Sequence, residues 1–207
     1  PVPPNARAAY VFAHGAGAGM NHTFMAEAAD GLAERGVATL RYQFPYMERG
    51  GKRTDPPGVA HMAVRAAVSR AVQEFAGLPL FAGGKSFGGR MSSQAQAAAP
   101  LPGVEGLVFL GFPLHPDGAP SSTRAEHLRK IELPMLFLQG TRDKLADIGR
   151  MRTLAAELGQ RAALVEIAEA DHSFHVLVRS GRKNAEVMQE LLDAAAGWML
   201  SPRRAGR

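Results

Sequence analysis

Cysteine is absent from this chain of 207 residues. Its absence excludes disulfide bonds, a cysteine nucleophile and a zinc site with cysteine ligands. Long hydrophobic runs are missing too, because no apolar stretch approaches the roughly 20 residues that a membrane-spanning helix needs. Residues 1–7 lack the hydrophobic core of a signal peptide. We therefore expect a cytoplasmic protein that has no contact with a membrane.

Acidic side chains are the scarcer charge type: 19 Asp and Glu stand against 24 Lys and Arg, for a net charge of +5 at pH 7. A basic surplus can indicate a nucleic-acid partner. The tight basic clusters, however, are confined to Arg49–Arg53 in a predicted loop and to Arg203–Arg207 at the tail. Neither cluster has interleaved aromatic residues or a DNA-reading motif. We therefore expect no nucleic-acid partner.

Short apolar runs alternate with helical patterns along the whole chain, which is typical of a parallel sheet with crossover helices. The length suits a single domain over residues 1–207. A loop rich in Pro and Gly is predicted over Gly50–Gly58, at the end of the second strand, where open α/β sheets bind ligands. The predicted strands are Ala8–Ala13, Val37–Tyr42, Leu78–Ala82, Gly106–Leu110, Pro134–Leu138 and Ala163–Ile167. The predicted helices run over about His22–Arg35, from Ser86 to before Pro100 and over about Leu145–Leu158, with apolar stripes at Val64–Phe75 and Met188–Met199 marking two more.

The strongest chemical signal is the G-x-S-x-G pattern centred on Ser86. The pattern follows an apolar strand and opens a helix, which is the context that a nucleophile elbow requires. Gly84 and Gly88 give the tight turn the room it needs, and the serine hydroxyl then lies at a helix N-terminus, where developing negative charge is favoured. We predict that Ser86 is a nucleophile.

Two phosphate-binding motifs, a P-loop and a dinucleotide-binding loop, are excluded because each lacks a required glycine. A P-loop would need a glycine five positions before Gly84, and Pro79 stands there. A dinucleotide-binding loop after the first strand would need a third glycine where Met20 stands. The glycine-rich segment after that strand instead suits the second half of an oxyanion hole, with Ala16 as the predicted backbone donor and Gly17 as the alternative. The other donor is the residue after the nucleophile, Phe87.

The remaining members of a catalytic triad are expected after later strands. Two histidines follow the last strand, and His172 is preferred because it comes first after the strand end. His175 is expected on or under the entering helix. These two histidines lack an obvious third ligand, so we predict no metal site.

The acid is predicted to be Asp143, which follows an apolar strand and a turn of small residues. A carboxylate there would hold the imidazole in its productive tautomer. Asp147 reads better as a charge on a helix surface. Asp117, in a turn after the preceding strand, is the main rival and is more typical of a turn former.

With Ser86, Asp143 and His172 in this order, the chain resembles the α/β-hydrolase superfamily. It is similar to the lidless, dienelactone-hydrolase-like enzymes and most of all to their KANL3/Tex30-like subgroup. Further matching segments are His14-Gly15-Ala16-Gly17, Phe112-Pro113-Leu114-His115 and Gly140-Thr141-Arg142-Asp143. The resemblance implies an α/β-hydrolase fold with a mostly parallel central sheet of about six strands and helices on both faces.

These features predict a serine hydrolase that cleaves an ester or related acyl bond without a cofactor. The segment Gly111–Glu132 is too short for a cap domain, which favours a small soluble substrate. The cations of Lys85, Arg90 and the Arg49–Arg53 loop would favour a substrate that is carboxylated or phosphorylated. Formation of a homo-oligomer is possible as well. The alternative is a binding or scaffold protein that keeps the fold without turnover.

Overall fold

The computed structural model describes residues 1–201, so the arginine-rich cluster at 203–207 lies outside the described residues. Within them, six strands form one sheet in the order β2-β1-β3-β4-β5-β6, and every neighbouring pair is parallel. The sheet is thus wholly parallel over the described residues, where a mostly parallel one was expected. The strands are β1 Ala8–Ala13, β2 Val37–Tyr42, β3 Leu80–Lys85, β4 Val104–Leu110, β5 Met135–Gly140 and β6 Ala162–Ile167.

Helices cover both faces of this sheet, as the sequence predicted. Those of more than one turn are α1 Thr23–Glu34, α3 Pro57–Glu74, α4 Phe87–Ala98, α5 Ile148–Leu158 and α6 Asn184–Leu200. A one-turn helix, α2 Pro45–Glu48, follows β2, and 3₁₀ segments lie at Thr123–Lys130, Gly159–Arg161 and Val178–Ser180. Helix α1 ends where Gly36 adopts a positive φ and its N–H caps the Ala33 carbonyl, as the glycine predicted.

The alternation of side chains along each strand divides the core into two layers. In β1, Val11 and Ala13 belong to the core layer that includes buried residues of α3, α4 and α5, whereas Tyr10 and Phe12 belong to the layer that includes buried residues of α1 and α6. Both layers are buried, which explains why the strands read as almost continuous apolar runs.

The loop expected over Gly50–Gly58 is shorter than predicted. Helix α3 begins at Pro57, because proline suits the first helical position, so Gly58 is helical. The segment between β4 and β5 holds the 3₁₀ helix Thr123–Lys130 and no separate domain. The carboxyl ends of the strands are therefore uncovered by a cap, and the loops that follow β1, β3, β5 and β6 meet there.

Candidate active site

Ser86 occupies the sharp turn between β3 and α4. Its backbone has φ 49° and ψ −113°, a conformation that residues with a side chain rarely adopt. The turn is possible because glycines flank it where two chains touch: a Cβ on Gly88 would lie 2.6 Å from the carbonyl oxygens of Ala13 and His14. A Cβ on Gly84 would overlap the Ala13 carbonyl as well. This strained turn between a strand and a helix is the geometry that a nucleophile elbow requires.

His172 lies between Ser86 and Asp143. Its Nε2 atom is 2.9 Å from the Ser86 Oγ, and its Nδ1 atom is 2.7 Å from the Asp143 Oδ2. An ionised carboxylate can only accept hydrogen bonds, so the Nδ1 atom carries the proton and the Nε2 lone pair faces the serine hydroxyl. The structure thus brings the three predicted side chains into one hydrogen-bonded chain, although they are far apart in sequence.

Asp143 is buried, and three donors surround its carboxylate. Besides His172, the Gln139 Nε2 donates to Oδ2 over 2.5 Å and the Leu145 backbone N–H donates to Oδ1 over 2.7 Å. A buried carboxylate is tolerated when hydrogen bonds of this kind replace its water. The three bonds fix the orientation of the carboxylate toward the imidazole.

The segment after β1 lies directly against the serine: a Cβ on Gly15 would be 3.8 Å from the Ser86 Cβ. The next residue, Ala16, is exposed. Among residues 1–201, neither the Ala16 N–H nor the Phe87 N–H donates to another protein atom. The Gly17 N–H, by contrast, donates to the Tyr46 hydroxyl over 2.9 Å. That bond favours Ala16 over Gly17 as the second donor to an oxyanion.

His14 fixes the direction of the Ala16 amide. Its Nε2 accepts from the Phe44 N–H at 3.0 Å, so its Nδ1 carries the proton and donates to the Gly15 carbonyl at 2.8 Å. In a trans peptide the carbonyl and the following N–H point in opposite directions, so the Ala16 N–H faces away from His14. Burial lowers the pKa of His14, which keeps the ring neutral as this arrangement requires.

Lys85 points toward the loop that carries His172. Its Nζ donates to the backbone carbonyl of His172 over 2.6 Å and lies 5.3 Å from the ring centre of Phe174 and 5.9 Å from that of Phe24. Burial lowers the pKa of the ammonium to about 8, against the opposing charges of Asp143 and Asp171. This placement does not support the expectation that Lys85 recognises an acidic substrate.

The alternative residues lie elsewhere. His175 is exposed and precedes α6 by several residues, so the expectation that it lies on or under that helix is wrong. The Asp147 carboxylate caps α5 by accepting from the Arg150 N–H. Asp117 is exposed in a turn beside Gly118. Arg49 pairs with the buried Asp55, so one cation of the basic loop is already neutralised.

Sequence reasoning missed the groups that support the site. Gln139 is a polar residue that follows directly on the apolar run of the predicted strand Pro134–Leu138, a signal that could have marked it. His14 stood in the quoted motif but received no role. Tyr46 gave no signal, because its bond to Gly17 depends on the path of the chain after β2.

Over residues 1–201, no three His, Cys, Asp or Glu side chains come close enough together to hold a metal ion. None of the helices in that part of the chain is long and apolar enough to cross a bilayer.

Comparison with known proteins gives a match to a family model described as "Alpha/beta hydrolase domain" over residues 6–200. Solved structures also match. A serine hydrolase from Xanthomonas campestris, described as lacking a lid, has a TM-score of 0.72 at 20% identity and covers 98% of this chain and 88% of its own.

Two further structures agree to a similar degree. A dienelactone hydrolase from Anabaena variabilis has a TM-score of 0.75 at 22% identity over 96% of this chain and 88% of its own. A monoacylglycerol lipase from Paleococcus ferrophilus has a TM-score of 0.72 at 17% identity, with coverages of 96% and 95%. At such identities the likeness establishes the fold.

Proposed function

Because the chain belongs to the alpha/beta hydrolase domain family, we propose that it is a serine hydrolase with Ser86 as nucleophile, His172 as base and Asp143 as the orienting acid. One observation carries the proposal. The His172 ring joins the Ser86 hydroxyl to a buried carboxylate with its lone pair on the serine side. Only this tautomer can take the serine proton as the oxygen attacks.

The reaction follows from this geometry. His172 Nε2 takes the proton of the Ser86 hydroxyl while Oγ adds to the substrate carbonyl carbon, and Asp143 stabilises the resulting imidazolium. The Ala16 and Phe87 N–H groups bind the oxyanion. When the intermediate collapses, the imidazolium protonates the leaving group. Water, deprotonated by the same nitrogen, then releases the acid and restores Ser86.

The substrate class is an ester or related acyl bond of a small soluble molecule, as for a carboxylesterase or a dienelactone-hydrolase-like enzyme. Support comes from the uncovered carboxyl edge of the sheet and from the names of similar proteins, which include a dienelactone hydrolase and a monoacylglycerol lipase. The reaction needs no cofactor. Membership of the KANL3/Tex30-like subgroup and a cytoplasmic location remain predictions.

The test is labelling with a fluorophosphonate probe, which phosphonylates activated serines. Wild-type protein is expected to be labelled and to hydrolyse p-nitrophenyl acetate, and Ser86→Ala to lose both activities with an unchanged circular-dichroism spectrum. Ser69→Ala, on the exposed side of α3, is the matched control and should behave as wild type. Folded wild-type protein that is never labelled would identify a non-catalytic binding or scaffold protein instead.

A further inference from the structure

Lys85 and the imidazole of His172 share one small space next to Gly111, the residue that follows β4. A Cβ on Gly111 would lie 3.0 Å from the Lys85 Nζ and 3.5 Å from the Nδ1 of His172. The Lys85 side chain therefore extends from the turn at Ser86, past Gly111, to the His172 carbonyl in the histidine loop. Here the histidine loop means the chain from Ala168 to Lys183, between β6 and α6.

The histidine loop is hydrogen-bonded on both sides of His172, where the Asp171 N–H donates to the His175 carbonyl and the Phe174 N–H donates to the Asp171 carbonyl. Two of its non-glycine residues have positive φ: Glu169 at 59° and Phe174 at 62°. Such conformations persist only when surrounding contacts enforce them. Among residues 1–201, no backbone N–H donates to the His172 carbonyl, and its donor is the Lys85 ammonium.

Two aromatic rings specify that this donor is a cation. Phe24 and Phe174 stack on each other with centroids 6.0 Å apart, and the ammonium lies within reach of both faces. A charged donor also makes a stronger hydrogen bond to the carbonyl than a neutral one. The contact therefore ties β3, α1 and the histidine loop together at the residue that carries the imidazole.

We propose that Lys85 is a positioning residue, which holds the main chain of His172 so that the imidazole stays in line between Ser86 and Asp143; this rests on the proposed serine-hydrolase function. The imidazole must keep two hydrogen bonds, of 2.9 and 2.7 Å, at once. A shift of about 1 Å in a catalytic group can lower a rate by about 100-fold. Fixing the carbonyl of the same residue restrains that shift.

Burial of a cation without a carboxylate in direct contact opposes folding, and the lowered pKa of Lys85 reflects this cost. The proposal therefore has an unusual signature. Removing the charge loses the hydrogen bond but also removes this cost, so activity should fall while thermal stability changes little, whereas a purely structural lysine would lower both together.

The experiment compares wild type with Lys85→Met, which keeps the length of the apolar stem, and with Lys130→Met, which removes an exposed lysine far from the site. We expect Lys85→Met to lower kcat for p-nitrophenyl acetate by about 10- to 100-fold. The KM should stay within about threefold, because the change leaves substrate-binding groups in place. The Tm should be unchanged or higher, and Lys130→Met should match wild type. If Lys85→Met does not fold, Lys85→Gln takes its place.

A double-mutant cycle shows whether Lys85 acts through His172. In a His172→Ala background, Lys85→Met should lower the residual labelling rate no further, because there is no imidazole left to position. Equal losses in both backgrounds would overturn the proposal, as would a kcat within twofold of wild type or a loss that follows a lowered Tm. Wild-type protein that is not labelled at all would instead refute the proposed function.

Discussion

At the scale of single residues, the candidate site depends on one buried carboxylate and the amide beside it. Asp143 receives three hydrogen bonds, and one of them comes from the Gln139 side chain. The other polar atom of that amide, Oε1, is buried and has no donor among residues 1–201. Rotation of the amide would exchange its donor for this acceptor. The site can therefore accommodate a neutral partner at position 143.

Asp143→Asn is expected to lower kcat by about 10² to 10⁴-fold while changing the Tm little. The new amide can donate to Gln139 after rotation, but it cannot favour the proton on Nδ1 of His172. The measurement is kcat for p-nitrophenyl acetate alongside a thermal melt, with Asp117→Asn in an exposed turn as the control. If Asp117→Asn lowers kcat strongly and Asp143→Asn does not, the acid is Asp117, in the loop after β4.

The three side chains that meet at the candidate site were predictable because each follows from local sequence: a glycine-flanked serine, and polar residues in the loops after strands. The groups that hold them were not. The bond from Lys85 to His172 joins residues 87 positions apart, and its direction depends on the missing side chain at Gly111. No local pattern carries that information. The catalytic roles themselves stay predictions until the variants are measured.

At the scale of elements, the elbow depends on how closely α4 approaches the end of β1. Gly88 faces the carbonyl oxygens of Ala13 and His14, which are backbone atoms and cannot rotate away as a side chain would. The position of α4 thereby sets both Ser86 and the Phe87 N–H. A close contact of two main chains is thus part of the candidate site.

Gly88→Ala is expected to lower the free energy of unfolding by about 1–3 kcal/mol, because the added methyl group overlaps backbone. The fluorophosphonate labelling rate should fall by about tenfold or more as α4 is displaced. The control is Gly197→Ala in α6, where no atom lies within 4 Å of the added Cβ. That change should stabilise the protein by about 0.5–1 kcal/mol in urea denaturation. A Gly88→Ala protein as stable and reactive as wild type would refute the packing argument.

The predicted and observed strand bounds agree where the local sequence marks a strand, and they differ where pairing with neighbouring strands decides. The first two strands were predicted with the bounds that the structure has: β1 is apolar throughout, and β2 begins directly after Gly36 and ends before Gln43. The third was predicted over Leu78–Ala82 but lies at Leu80–Lys85. Glycines are poor strand formers, so the sequence pattern of Gly83 and Gly84 did not predict the second half of β3. Pairing with β1 and β4 on both sides keeps them in the sheet.

At the scale of the whole molecule, we expect a histidine outside the candidate site to set part of the pH dependence of stability. His127, on the 3₁₀ helix that packs on α4, lies 2.8 Å from the Ser93 hydroxyl. Burial lowers its pKa to about 4, with further contributions from Arg90 and His61. An unfolded histidine titrates near 6.5. Between these values the unfolded chain binds more protons, so stability rises with pH and is lost as the pH falls from about 6.5 to 4.

His127→Gln should remove this dependence, since glutamine does not titrate. The difference in unfolding free energy between wild type and this variant should change by about 1–2 kcal/mol between pH 7 and pH 4, after allowance for partial exposure. Urea denaturation at several pH values measures it, and His175→Gln at an exposed position is the control. Parallel curves for wild type and His127→Gln would show that His127 does not make this contribution.

The strand order β2-β1-β3-β4-β5-β6 also has a consequence for when the Ser86 hydroxyl meets the imidazole of His172 during folding. After β3, each strand joins the sheet beside the one before it, and the imidazole arrives only with the loop that follows β6. The contact between Ser86 and His172 spans 86 residues, so we expect it to form late, after the intervening strands have docked. During synthesis, therefore, we expect a chain that has formed the turn at Ser86 to lack the imidazole that the proposed mechanism needs until the segment after β6 has folded.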